Sequence, residues 1–125
     1  MSITIVNTAN APAPIGPYSQ AVKSGNMLFL SGQVALDTDG NLVMESIKAE
    51  THQVMKNISA LLKEAGAGFE HIVKTTIFLT DMALFAEVNE AYGSYFKTNF
   101  PARETVAVKG LPKNVNVEIS VIAVV

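Results

Sequence analysis

Pro101-Ala102-Arg103-Glu104-Thr105, running on through Val106-Ala107-Val108-Lys109-Gly110-Leu111-Pro112-Lys113 to Val115-Asn116-Val117-Glu118-Ile119-Ser120-Val121, is the stretch that decides how this chain folds. Two apolar strands are separated by a Gly/Pro/Asn turn, and each carries one residue foreign to an ordinary core. Arg103 is the only arginine of the chain; the other eight basic residues are lysines. A guanidinium is a planar, permanently charged fork suited to a bidentate grip on a carboxylate or phosphate. Glu118 is the acidic residue of an otherwise apolar strand, where burial is costly and raises a carboxyl pKa. If the two strands form a hairpin, both side chains reach one pocket: a fixed cation for binding and a titratable acid for proton transfer. A structural ion pair fits the same two residues, and spacing alone leaves both readings open.

The 125 residues argue for one domain, spanning 1–125, with one core. The chain is 49% apolar and only 16% charged, which is more apolar surface than a small monomer usually hides. No apolar run approaches the length of a membrane-spanning helix, and no secretory signal is visible, so a soluble cytoplasmic protein with no membrane partner is expected. Cysteine is absent, which excludes disulfides, thiolate metal sites and a cysteine nucleophile. The net charge of −2, with scattered lysines, offers no basic stripe for nucleic acid.

Working outward from the opening stretch, residues 3–6 read as a short strand, and residues 7–17 as a rigid Pro/Gly-rich loop. Residues 18–23 and 27–34 read as strands joined at Ser24-Gly25-Asn26, followed by a turn at Asp37-Thr38-Asp39-Gly40. Residues 46–65 form a helix whose buried stripe is Ile47, Val54, Ile58, Leu61 and Ala65, with Gly66 where a C-cap belongs. A β-branched strand covers 71–80. Asp81 is the N-cap of a second helix, 82–97, with Phe85, Val88, Tyr92 and Tyr95 facing inward. The order β-β-β-α-β-α-β-β predicts an α+β layer with two helices on one sheet face. The strands at 27–34, 71–80 and 115–125 are apolar on both faces. The uncovered face is therefore expected to pack against other copies, giving an obligate homo-oligomer with sites at subunit boundaries.

His52 and His71 lack metal-ligand spacing to another His or carboxylate, so no metal site is expected. No phosphate-cradling glycine pattern or nucleophile elbow is present. Any chemistry is expected to need no cofactor.

Ile15-Gly16-Pro17-Tyr18-Ser19-Gln20, Ser31-Gly32-Gln33, Val73 to Leu79, Val88-Asn89-Glu90-Ala91-Tyr92, Pro101-Ala102-Arg103 with Leu111-Pro112, and Val117-Glu118-Ile119 together resemble the RidA/YjgF/YER057c/UK114 family, in register over nearly the whole chain. The resemblance implies a chorismate mutase-like fold, and a homotrimer with a barrel-like centre and three clefts between subunits. It also implies hydrolysis of small 2-imino acids, the enamine/imine products of pyridoxal-phosphate dehydratases, to 2-keto acids and ammonia. Carried over by position, Arg103 would bind the substrate carboxylate and Glu118 would activate water. Tyr18, Ser31 and Asn89 would line the cleft, and the backbone N–H of Thr105 would be a second carboxylate donor. Many deaminases of the family have cysteine at the position of Thr105, a departure that bears on substrate range. A non-catalytic module binding a 2-keto acid, or a stress or translation regulator using the same cleft, is the alternative. Glu118→Gln separates the two readings: catalysis needs the carboxylate, whereas binding of an anion beside it should improve on its loss.

Overall fold

The fold is that of a computed structural model describing residues 2–125. Six strands form one sheet: β1 (Ile3–Val6), β2 (Ala21–Ser24), β3 (Met27–Leu30), β4 (Ile72–Leu79), β5 (Ala102–Ala107) and β6 (Val117–Val124). Two helices, α1 (Ile47–Glu64) and α2 (Phe85–Gly93), complete the layer. The strand order is β1-β2-β3-β6-β4-β5. β4 and β5 are parallel and every other neighbouring pair is antiparallel.

Because β6 lies antiparallel between β3 and β4, those two strands run in the same direction. The connections β3-α1-β4 and β4-α2-β5 are thus two crossovers stepping the same way across the sheet. A single, right-handed crossover sense then puts both helices on one face. The core fills that gap: Leu28, Ile77, Leu79, Val117 and Ile119 from the sheet meet Val54, Met55, Ile58, Leu61 and Leu62 of α1, all 0% exposed. The strict in-out alternation of β6 marks one face as core and the other as open.

Helix α1 matches its sequence pattern. Ser46 is the N-cap, its hydroxyl accepting from the Ala49 N–H, and Gly66 follows the C-cap at φ +77°, a left-handed conformation that glycine adopts without strain. The second helix is shorter than the expected 82–97. Asp81 caps a single 3-10 turn, Met82–Leu84, and the α-helix stops at Gly93. Beyond it Tyr95 and Phe96 donate to carbonyls three residues back, and Asn99 turns the chain at positive φ. Tyr95 still packs half-buried against the edge of the core, while its hydroxyl bonds His52.

The expected hairpin of the last two strands does not form. β4 lies between them, so β5 is an edge strand, and the turn carries Lys113 and Asn114 at positive φ. The strand expected over 18–23 starts only at Ala21, because the Pro/Gly loop keeps bending through Tyr18, whose N–H bonds the Gly16 carbonyl. That expected over 27–34 leaves the regular ladder after Leu30 and touches β6 again only where Gln33 pairs with Ile119. The open face carries exposed Ile3, Ile5, Phe29 and Val106, with Phe78 and Ile122 half-buried among them. Among the described residues, no helix is long and apolar enough to cross a membrane.

Candidate active site

Arg103 stands opposite Thr75 in the parallel β4–β5 register, so its side chain projects to the helix-covered face. There its Cζ lies 5.6 Å from the ring centroid of Phe85 and 5.4 Å from that of Tyr92, both within cation–π range. Phe85, Asn89 and Tyr92 are four and three residues apart on α2 and share one helical stripe, which puts Asn89 between the two rings that flank the guanidinium. Thr105, two residues along the edge strand from Arg103, faces the same side, and its Oγ1 is buried without a hydrogen-bond partner among the described residues. Among the described residues no carboxylate comes within ion-pair distance of Arg103, so the structural ion pair with Glu118 is not formed within the chain.

Glu118 alternates with the fully buried Val117 and Ile119 and therefore projects to the opposite, open face. It is half-buried, and burial pushes its carboxyl above the ordinary glutamate range. The carboxylate rests directly over Gly32: a Cβ on that residue would lie 2.6 Å from Oε2 and 2.8 Å from Cδ. Gly32 is kept beneath it by the paired backbone bonds between Gln33 and Ile119. Tyr18 and Gly32 line one small recess together with Ile15, Gln20 and Gln33. Tyr18 is 47% exposed, and its hydroxyl accepts from the Ile15 N–H at 3.2 Å. The Ser31 hydroxyl donates to the Ser19 carbonyl at 2.6 Å, binding this strand end to the loop that carries Tyr18.

The six residues singled out from the sequence thus fall into two groups. Arg103, Thr105 and Asn89 gather at the β5 edge on the helix side. Glu118, Ser31 and Tyr18 belong to the other half of the sheet, with Glu118 on its open face. A shared hairpin pocket is ruled out by the intervening β4 and by the opposite faces.

Three supporting residues escaped the sequence reading. Gly32 was visible only as part of Ser31-Gly32-Gln33, and its need to lack a side chain arises from a partner 86 positions away. Gln20 is buried and ties the Pro-rich loop through the Thr8 N–H and the carbonyls of Thr8, Ala11 and Pro12. Glu50 is 0% exposed; its carboxylate accepts from the backbone N–H groups of Asn116 and Val117 and from the Asn116 side chain, at 2.7, 3.0 and 2.9 Å. A signal for Glu50 existed, since it sits on the α1 stripe between Ile47 and Val54.

Residues 8–125 match the family model described as Endoribonuclease L-PSP. The chain is 45% identical over 121 residues to a human protein named 2-iminobutanoate/2-iminopropanoate deaminase, covering 96% of this chain and 88% of the human one. It is 48% identical over 120 residues to Reactive Intermediate Deaminase A, chloroplastic, of Arabidopsis thaliana, covering 95% of this chain and 64% of that protein. The crystal structure of E. coli TdcF with bound serine superposes with a TM-score of 0.93 at 36% identity, covering 98% of each chain. With nearly the whole chain matched by the family model and these relatives beside it, the chain belongs to the RidA/YjgF (RutC) family.

Proposed function

We propose that this protein is a cofactor-independent deaminase that hydrolyses small 2-imino acids, such as 2-iminobutanoate and 2-iminopropanoate, to 2-keto acids and ammonia. One observation carries this reading. Among the described residues, the chain presents a guanidinium with no carboxylate partner on one sheet face and a half-buried carboxylate with no cation partner on the other. Each is half of a site, and two copies of the chain are needed to complete it. The apolar open face offers a surface on which copies pack. We propose a homotrimer whose three clefts each join the Arg103 group of one copy to the Glu118 group of the next.

In such a cleft Arg103 grips the substrate carboxylate through two parallel N–H···O bonds, assisted by the Thr105 backbone N–H, and so fixes the imine carbon. Glu118 takes a proton from water as the oxygen attacks that carbon, then returns it to the nitrogen. The hydroxyl proton of the resulting carbinolamine passes to the nitrogen by the same carboxylate, the C–N bond breaks, ammonia leaves and the carbonyl forms. A carboxyl with a raised pKa suits both transfers. Tyr18, Ser31 and Asn89 supply polar contacts to substrate and water. The imine carbon is already electrophilic, so base and water suffice without a cofactor. The human and plant relatives named as deaminases support this chemistry, and the serine in TdcF carries the carboxylate that Arg103 would grip here. The family model is described as an endoribonuclease, but a net charge of −2 with scattered lysines offers no basic surface for nucleic acid.

The test couples a pyridoxal-phosphate threonine dehydratase, semicarbazide to trap the imine, and the purified protein. Wild type is expected to lower the trapped fraction, whereas Arg103→Ala and Glu118→Gln lose about a hundredfold or more of that effect while keeping the assembly intact. Full activity in Arg103→Ala overturns the assignment. If wild type is inactive on threonine- and serine-derived imines yet binds 2-oxobutanoate, the cleft is a binding module.

A further inference from the structure

We propose that Tyr92, together with Phe85, is a positioning residue for Arg103: the two α2 rings hold the guanidinium while leaving its N–H donors free for an anion. The inference rests on the carboxylate-binding role of Arg103 given above. An arginine at the edge of a sheet needs something to hold it, and the usual choice is a carboxylate. A carboxylate would occupy the donors that a ligand must use. An aromatic face attracts the same cation through its quadrupole and accepts none of the in-plane N–H bonds.

The geometry fits that division of labour. Tyr92 is 4% exposed, and its hydroxyl donates to the Oγ1 of Thr75 at 2.9 Å. Thr75 is 0% exposed and lies directly across the β4–β5 pair from Arg103. One side chain of α2 is therefore bolted to β4 by its hydroxyl and presents its ring to the adjacent residue of β5. Burial and the Thr75 bond leave the ring no freedom to swing away. Phe85, about two turns toward the helix N-terminus, offers the second ring at 5.6 Å.

Because Arg103 is the only arginine, its Nε–Hε group gives a single resonance in a 1H–15N spectrum, and binding of 2-oxobutanoate can be titrated on it. Tyr92→Leu and Phe85→Leu are each expected to weaken 2-oxobutanoate about tenfold, to raise KM for the imine while kcat stays within about twofold, and to move the Arg103 resonance toward that of a free arginine. Tyr92→Phe, which keeps the ring and drops only the bond to Thr75, is expected to lose less than Tyr92→Leu on every readout. Leucine variants that assemble normally and bind with wild-type affinity overturn the inference, as does a Tyr92→Phe as weak as Tyr92→Leu. Should Tyr92→Leu not fold, the half-exposed Phe85 carries the test alone. Arg103→Ala is run beside them. Undiminished binding there overturns the carboxylate reading itself, whereas its loss with unaffected leucine variants overturns only the positioning role.

Discussion

At the scale of single residues, Gly32 and Glu118 form a pair whose importance lies in what is missing. A methyl group on residue 32 would sit 2.6 Å from a carboxylate oxygen, so Gly32→Ala forces the far end of Glu118 aside. That end is flexible, and the substitution should cost little stability. Turnover should nevertheless fall about tenfold or more, because a base displaced by an ångström no longer meets its proton. Kinetics and urea unfolding run on the same preparation check both halves of this expectation. Glu118 also links stability to pH. Burial raises its pKa, so the folded chain holds this proton more tightly than the unfolded chain. Stability contributed by that proton is complete below the ordinary carboxylate range and is lost as pH rises through the raised native value. Glu118→Gln should therefore be more stable than wild type at neutral pH, with the gap narrowing in acid. Wild-type turnover should fail in acid with a midpoint above the ordinary glutamate range, measurable as a kcat/KM profile.

Among the elements, α1 shows how a helix on the core side can serve residues on the open side. Glu50 receives three N–H donors from Asn116 and Val117, immediately before Glu118. Glu50→Ala strands those donors and should cost about 3 kcal/mol or more in urea unfolding at fixed protein concentration. The helix itself was legible from its apolar stripe and Gly66, because caps and periodicity are local properties. The placement of β5 was not. Gly110, Pro112 and Asn114 are the residues of a tight hairpin, and the same composition serves equally well a longer return that lets β4 enter between two strands. Only pairing distant in sequence decides between these, and the faces of Arg103 and Glu118 follow from that pairing. The residues of the site were thus readable as types, and through resemblance, while their separation onto two faces was not. The end of α2 was misread for a related reason: Tyr95 keeps helical spacing, yet the α-helix has already stopped at Gly93.

For the whole molecule, the two-sided apolar character of the strands was visible in the sequence, and the open face bears it as exposed Ile5, Phe29 and Val106. Phe29→Glu on that face should shift the sedimentation equilibrium toward monomer by about tenfold or more in association constant. Imine hydrolysis should fall in parallel, because the proposed cleft needs two copies. The strand order has a further consequence, for the history of the chain rather than its chemistry. β1-β2-β3 and β4-α2-β5 are two sub-assemblies with no ladder of their own between them, and the last strand in sequence, β6, joins both. A chain emerging in order from the ribosome has every other element available while the middle of its sheet is still empty. Until β6 inserts, β3 and β4 each show a bare edge, the kind of surface on which unfinished chains find one another. The rate of closing that gap, rather than the rate of forming either half, should therefore govern how quickly and how cleanly the protein matures.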